Sequence, residues 1–129
     1  RNPWSRTVSL YATVLRAGYE FTFDDFVLNE LPRWQSGLQG RWNTYEMFHE
    51  RGQRIVDHII RIEHLEEDLR PVVEQHWPGL ELDYTMRSNT GEHKPFRDYY
   101  TDQTARLVAD FFAYDIEAFG YRFEDENAG

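Results

Sequence analysis

Apolar residues recur at helical spacing in three stretches of the chain. Val8, Tyr11 and Leu15, flanked by Leu10 and Val14, form the apolar stripe of a first helix. Asn2 can cap that helix, and Pro3 suits its first position, where a missing N–H costs nothing. Gly18 is placed to end it. Phe23, Phe26, Val27 and Leu31 repeat the spacing in a second helix. Thr22 opens this helix, Asp24 and Asp25 favour its first turn, and Pro32 is expected to close it. The third stretch is the clearest. Val108, Phe112, Ile116 and Phe119 line one face of a single helix, with Leu107 and Phe111 beside them, between a Thr101 cap and Gly120.

The remaining stretches are less regular. Residues 33–54 scatter Trp34, Trp42, Tyr45 and Phe48 among Gln, Gly and Arg, which predicts a loop with a short helix from Thr44 to His49. The two tryptophans either stack on a ligand ring or anchor the loop in the core. Ile55, Val56, Ile59, Ile60 and Ile62 fit a helix by spacing and a strand by their β-branched side chains. Pro78 and Gly79 close a helical segment that begins near Glu66 and carries Pro71. Residues 80–100 show no period, and a loop of that length in a compact domain is usually functional. There is no internal repeat and no low-complexity linker.

Composition narrows the class. The 129 residues suit one domain, and 40% hydrophobic residues, including nine Phe, eight Tyr and four Trp, can build a core. The net charge of −9 argues against nucleic-acid binding, which needs a basic surface. No apolar run approaches a membrane span, and no signal peptide is visible. The absence of cysteine excludes disulfide and thiolate chemistry and leans towards a reducing, cytoplasmic setting. His49, His58, His64, His76 and His93 lack the spacing of a metal site, so no metal is expected.

Candidate chemistry concentrates at the start of the chain. A helix opening at Pro3 presents N–H groups and a positive dipole end to an anion. Arg1 stands at that mouth with a guanidinium suited to phosphate oxygens, and Ser9 adds a hydroxyl. Local physics alone accommodates a plainer reading, a capped surface helix with an ordinary arginine. Eight residues of helix span about 12 Å, which separates Arg1 from Ser9 along the axis.

The order Arg1-Asn2-Pro3-x-x-Arg6-x-x-Ser9-x-Tyr11 resembles the 3′-phosphate-binding segment of the sulfotransferases, which use 3′-phosphoadenosine 5′-phosphosulfate (PAPS) as donor. Thr22-Phe23-x-x-Phe26-Val27 is similar to the segment that follows it in that family. Residues Asp57 to Asp68, with Arg61, Glu63 and Leu65 in register, resemble a stretch of the carbohydrate-type enzymes, where a short strand leads into a helix. The resemblance therefore implies a strand at about 57–62 and a helix at about 66–77. Where related enzymes place an aromatic against adenine, this chain has Ile62. Phe96 to Thr101, Leu107-Val108, Asp115-Ile116 and Phe119 to Phe123 resemble the family's C-terminal end.

The implied fold is mainly α with one or two short strands, the C-terminal part of an α/β P-loop-type sulfotransferase fold. Residues 1–123 form that portion and 124–129 an acidic tail. The sequence contains no Gly-rich, Lys-containing phosphate loop and opens on a motif residue without Met, so it reads as a protein joined part-way through. By the resemblance, Arg1 and Ser9 grip the 3′-phosphate of PAPS, and Arg87 and Lys94 belong to a basic loop closing over the nucleotide. The implied reaction is in-line transfer of the sulfuryl group to a hydroxyl, with a carbohydrate as acceptor. The catalytic base is not assigned to any residue of this chain, and the chain alone is expected to be inactive. The competing reading is a non-enzymatic acidic helical interaction module that exposes an apolar patch. A face left bare by the missing half of the domain also invites self-association.

Overall fold

Asn2 turns the chain into α1 (Pro3–Arg16) by accepting the backbone N–H groups of Trp4 and Ser5 on its side-chain oxygen. This is the start that Asn-Pro predicts. Gly18, at φ +97°, carries the chain out of the helix in a conformation that disfavours any side chain. The computed structural model describes residues 1–33, 43–85 and 94–125 and is mainly helical there. α1 buries Trp4, Val8, Tyr11 and Val14, whereas Leu15 is 40% exposed and does not belong to the core face.

Thr22 caps α2 (Phe23–Asp25) by accepting the Asp25 N–H at 3.1 Å. The helix widens into a π turn over Phe26–Glu30 and continues helical to residue 33. Pro32 therefore does not end it. The π turn lies just before the proline, where the lost donor and the ring would strain an α-helical ladder. Phe26, Val27 and Leu31 are buried as their spacing predicts.

Asn43 precedes α3 (Thr44–Phe48), which is followed by β1 (His49–Glu50) and β2 (Gln53–Arg54). The strands pair antiparallel, His49 opposite Arg54, around a turn in which Arg51 and Gly52 both have positive φ. These are the short strands of the fold, and they do not lie where they were expected. Residues 57–61 form no strand, and Ile62–His64 make a 3₁₀ turn. A strand requires a hydrogen-bonded neighbour, and among the described residues the sheet pairs only β1 with β2. α4 (Leu65–His76) follows within a residue of its expected start, with Pro71 in its second turn. It buries only Val73.

A 3₁₀ turn (Phe96–Tyr99) leads to Thr101, which caps α5 (Asp102–Phe111) in a reciprocal capping box with Thr104. The expected single C-terminal helix is two helices, α5 and α6 (Ala113–Phe119), broken at Phe112. Asn43 causes the break. Its amide donates to the Phe111 carbonyl at 2.8 Å and its oxygen accepts the Asp115 N–H at 3.1 Å, taking both halves of the hydrogen bond a continuous helix would make there. Gly120, at φ +70°, ends α6 as predicted.

The core lies between α1, the α2 segment and α5. Its fully buried side chains include Phe26, Phe112, Leu31, Val8, Val27 and Val108. Each such residue contributes about 1.5–3 kcal/mol through burial. Aromatic rings tie the layers edge-on: Phe23 to Tyr100 at 4.8 Å, Tyr100 to Phe123 at 5.5 Å and Trp4 to Phe123 at 5.7 Å. Their polar tips are used as well. The Tyr100 hydroxyl donates to the Trp4 carbonyl at 2.7 Å, and the Trp4 indole donates to the Ala105 carbonyl at 2.9 Å. Burial pushes the Tyr100 phenol far above its usual range.

Candidate functional site

The N-terminal end of α1 is where the predicted chemistry gathers. Arg1 is exposed, and its Nη2 donates to Ser5 Oγ at 3.2 Å. Ser5 is buried and Ser9 is half-buried. Ser5 and Ser9, four residues apart, share one ridge of the helix, and Arg1, which lies before the cap, reaches that ridge through its bond to Ser5. Docked on Ser5, the guanidinium is one turn, about 6 Å of axial rise, from the level of Ser9. Spacing alone set Arg1 twice as far away. Ser5 was not singled out from the sequence, although its four-residue offset from Ser9 on the helix is a signal that could have found it.

The backbone at this mouth is already occupied. Asn2 Oδ1 takes the Trp4 and Ser5 N–H groups at 3.0 and 3.3 Å, and the Arg6 N–H bonds the Asn2 carbonyl at 2.9 Å. Pro3 has none to give. The free N–H groups expected for an anion are therefore satisfied internally, because a good cap and an open anion site compete for the same donors. What remains is the helix dipole, the remaining N–H groups of Arg1 and the Ser9 hydroxyl.

Behind Arg1, three distant segments converge. Glu63 Oε1 accepts the Asn2 N–H at 2.5 Å, and Glu63 Oε2 accepts the Tyr121 hydroxyl at 3.3 Å. Asn2 Nδ2 donates to the Arg122 carbonyl at 3.1 Å. Burial, followed by the Glu63 charge, pushes the Tyr121 phenol well above its usual value. A cavity of about 320 Å³ opens beside this junction, lined among others by Asn2, Arg61, Glu63, His64 and Tyr121. Arg61 does not pair with Glu63. It makes a two-pronged contact with Asp68, Nη2 to Oδ1 at 2.7 Å and Nε to Oδ2 at 2.8 Å.

Arg6 faces another way. It donates to Thr44 Oγ1 at 3.3 Å and lies 5.5 Å over the Phe112 ring. Burial lowers its pKa, and the nearby Asp115 charge partly restores it. Asp115, itself buried, caps α3 by accepting the Thr44 and Tyr45 N–H groups at 2.8 and 2.6 Å. Arg6, Asn43 and Asp115 thus hold α1, α3 and α6 together.

Comparison with protein-family models, with curated proteins and with solved structures finds no match to this chain. Lys94 lies 4.5 Å over the Tyr99 ring, which packs edge-on against Tyr11 of α1 at 6.2 Å. Arg87, Trp34 and Trp42 lie outside the described residues. Arg97, in the same basic stretch, donates to the carbonyls of Phe123 and Glu124 at 3.2 and 2.6 Å, so the start of the acidic tail is tied to the body. Among the described residues, no group of three or more His, Asp or Glu could hold a metal ion. No described helix is long and apolar enough to cross a membrane.

Proposed function

We propose that this chain is the C-terminal portion of a PAPS-dependent sulfotransferase of the α/β P-loop type, and that it anchors the 3′-phosphate of the donor nucleotide. The observation that carries this reading is the Arg1 guanidinium docked on the Ser5–Ser9 ridge. One guanidinium N–H is spent on Ser5, and the exposed remainder faces solvent at the positive end of a 14-residue helix, one turn from a second hydroxyl. That donor set suits a phosphate dianion. The order of the sulfotransferase-like segments along the chain adds to it. PAPS supplies the sulfuryl group, and the acceptor is a hydroxyl, most naturally of a carbohydrate. Residues of this chain bind and orient the nucleotide. The base and the 5′-phosphosulfate loop are not among them, so the isolated chain is inactive. The absence of cysteine fits a reducing compartment.

Isothermal titration with adenosine 3′,5′-bisphosphate tests the reading. Binding is expected, and Arg1→Ala should weaken it by about tenfold, the worth of one charge-assisted contact. A second reading is favoured by one observation. Ile55, Ile62, Trp77 and Leu80 are 60, 47, 59 and 52% exposed, as an interaction module would present them. No heat on titration, together with concentration-dependent association in sedimentation, decides for that module.

A further inference from the structure

Arg1 is joined to Asn2 by a planar peptide unit, and the Asn2 N–H lies in that plane. This is the N–H that Glu63 Oε1 accepts at 2.5 Å. The other Glu63 oxygen is held by the Tyr121 hydroxyl at 3.3 Å, from a segment fixed to Asn2 by the bond between Asn2 Nδ2 and the Arg122 carbonyl. Asn2 is fully buried. A carboxylate accepting a backbone N–H makes a charge-assisted bond, stronger than a neutral one. Arg1 itself is exposed. Its course is set by the peptide plane from which it leaves and by the Ser5 hydroxyl on which it lands.

We propose that Glu63 is a positioning residue for phosphate recognition: by pinning the Arg1–Asn2 peptide plane from across the fold, it aims the Arg1 guanidinium along the Ser5–Ser9 ridge. This rests on the donor-anchoring reading above. The sign of the effect separates positioning from charge. A carboxylate near a phosphate site repels the phosphate, so by Coulomb's law alone its removal strengthens binding. Loss of positioning weakens binding, and only for the ligand that carries the 3′-phosphate.

The experiment compares adenosine 3′,5′-bisphosphate with adenosine 5′-phosphate by titration calorimetry on the 129-residue chain. The native chain is expected to prefer the bisphosphate. Glu63→Ala should lose about tenfold of that preference, a cost typical of a misplaced contact, with affinity for the monophosphate unchanged. Glu63→Gln keeps an oxygen that can accept the Asn2 N–H and should restore most of the preference. A role in stability alone lowers the melting temperature of Glu63→Ala and leaves the ratio of affinities intact; that result, or a gain in preference, overturns the proposal. If Glu63→Ala does not fold, Tyr121→Phe decides, since it removes one of the two bonds on Glu63. About a twofold loss of preference supports positioning, and an unchanged ratio overturns it. A native chain that binds both nucleotides equally overturns the donor reading and this inference together, whereas a native preference retained in the variants overturns only the role of Glu63.

Discussion

Asp68 shows how a single residue fastens a segment that has no strand to hold it. Arg61 offers both its side chain and its backbone N–H to the Asp68 carboxylate, and these hydrogen bonds hold the carboxyl at about 2. A carboxylate whose folded pKa is depressed contributes stability that is present above its unfolded value and lost as pH falls through the folded one. The window here runs from about pH 4 down to about pH 2. Asp68→Asn should lower the urea midpoint near neutral pH, and the gap from the native chain should narrow as the buffer is taken through that window. A gap that stays constant with pH contradicts the assignment. At this scale, caps were legible and clasps were not. Asn2, Thr22 and Thr101 cap their helices because a cap acts on backbone groups two or three residues away. Glu63 meets Asn2 and Tyr121 across 61 and 58 residues, and no local pattern encodes such a meeting.

Among the elements, the most informative is the broken C-terminal helix. Its apolar period runs through Phe112 without interruption, so periodicity alone predicts one helix. A side chain from Asn43 divides it. Asn43→Ala should destabilise the protein by about 1–3 kcal/mol, because the two hydrogen bonds that tie the start of α3 to the break between α5 and α6 are lost. The far-ultraviolet helical signal should not fall, since Asp115 N–H and the Phe111 carbonyl can then bond each other. Loss of helical signal in a still-folded variant contradicts this account. Gly120→Ala should cost about 1–2 kcal/mol in urea denaturation, the expense of a left-handed backbone at φ +70°. Nothing lies within 4 Å of the added Cβ, so the effect is conformational and not steric. The strand expected at 57–62 failed for a related reason. β-branched residues favour an extended chain, but only a pairing partner makes it a strand, and no described strand pairs with it.

The molecule as a whole is one-sided. α1, the α2 segment and α5 share the core, while the stretch from Ile55 to Leu82 is braced within itself by Arg61–Asp68, meets the body through the Glu63 bonds to Asn2 and Tyr121, and leaves Trp77 59% exposed. Phe26→Ala, at a site with no exposure, should therefore cost about 3–5 kcal/mol, whereas Trp77→Ala should change stability by no more than about 0.5 kcal/mol. Paired urea titrations check both, and a large loss at Trp77 shows that this face is covered in solution. From its sequence alone the chain determined its helical character, the capped start of α1, the end at Gly120 and core residues such as Val8, Phe26, Val27, Val108 and Phe112, because these follow from period, propensity and interactions within a turn. Tertiary structure alone decided that Ser5 receives Arg1, that Glu63 pins the peptide behind it, and that Asn43 divides the last helix. Each of these is a polar contact whose partner is chosen by geometry and burial: a hydroxyl, a carboxylate or an amide can satisfy many neighbours, and only the packed fold selects which one arrives.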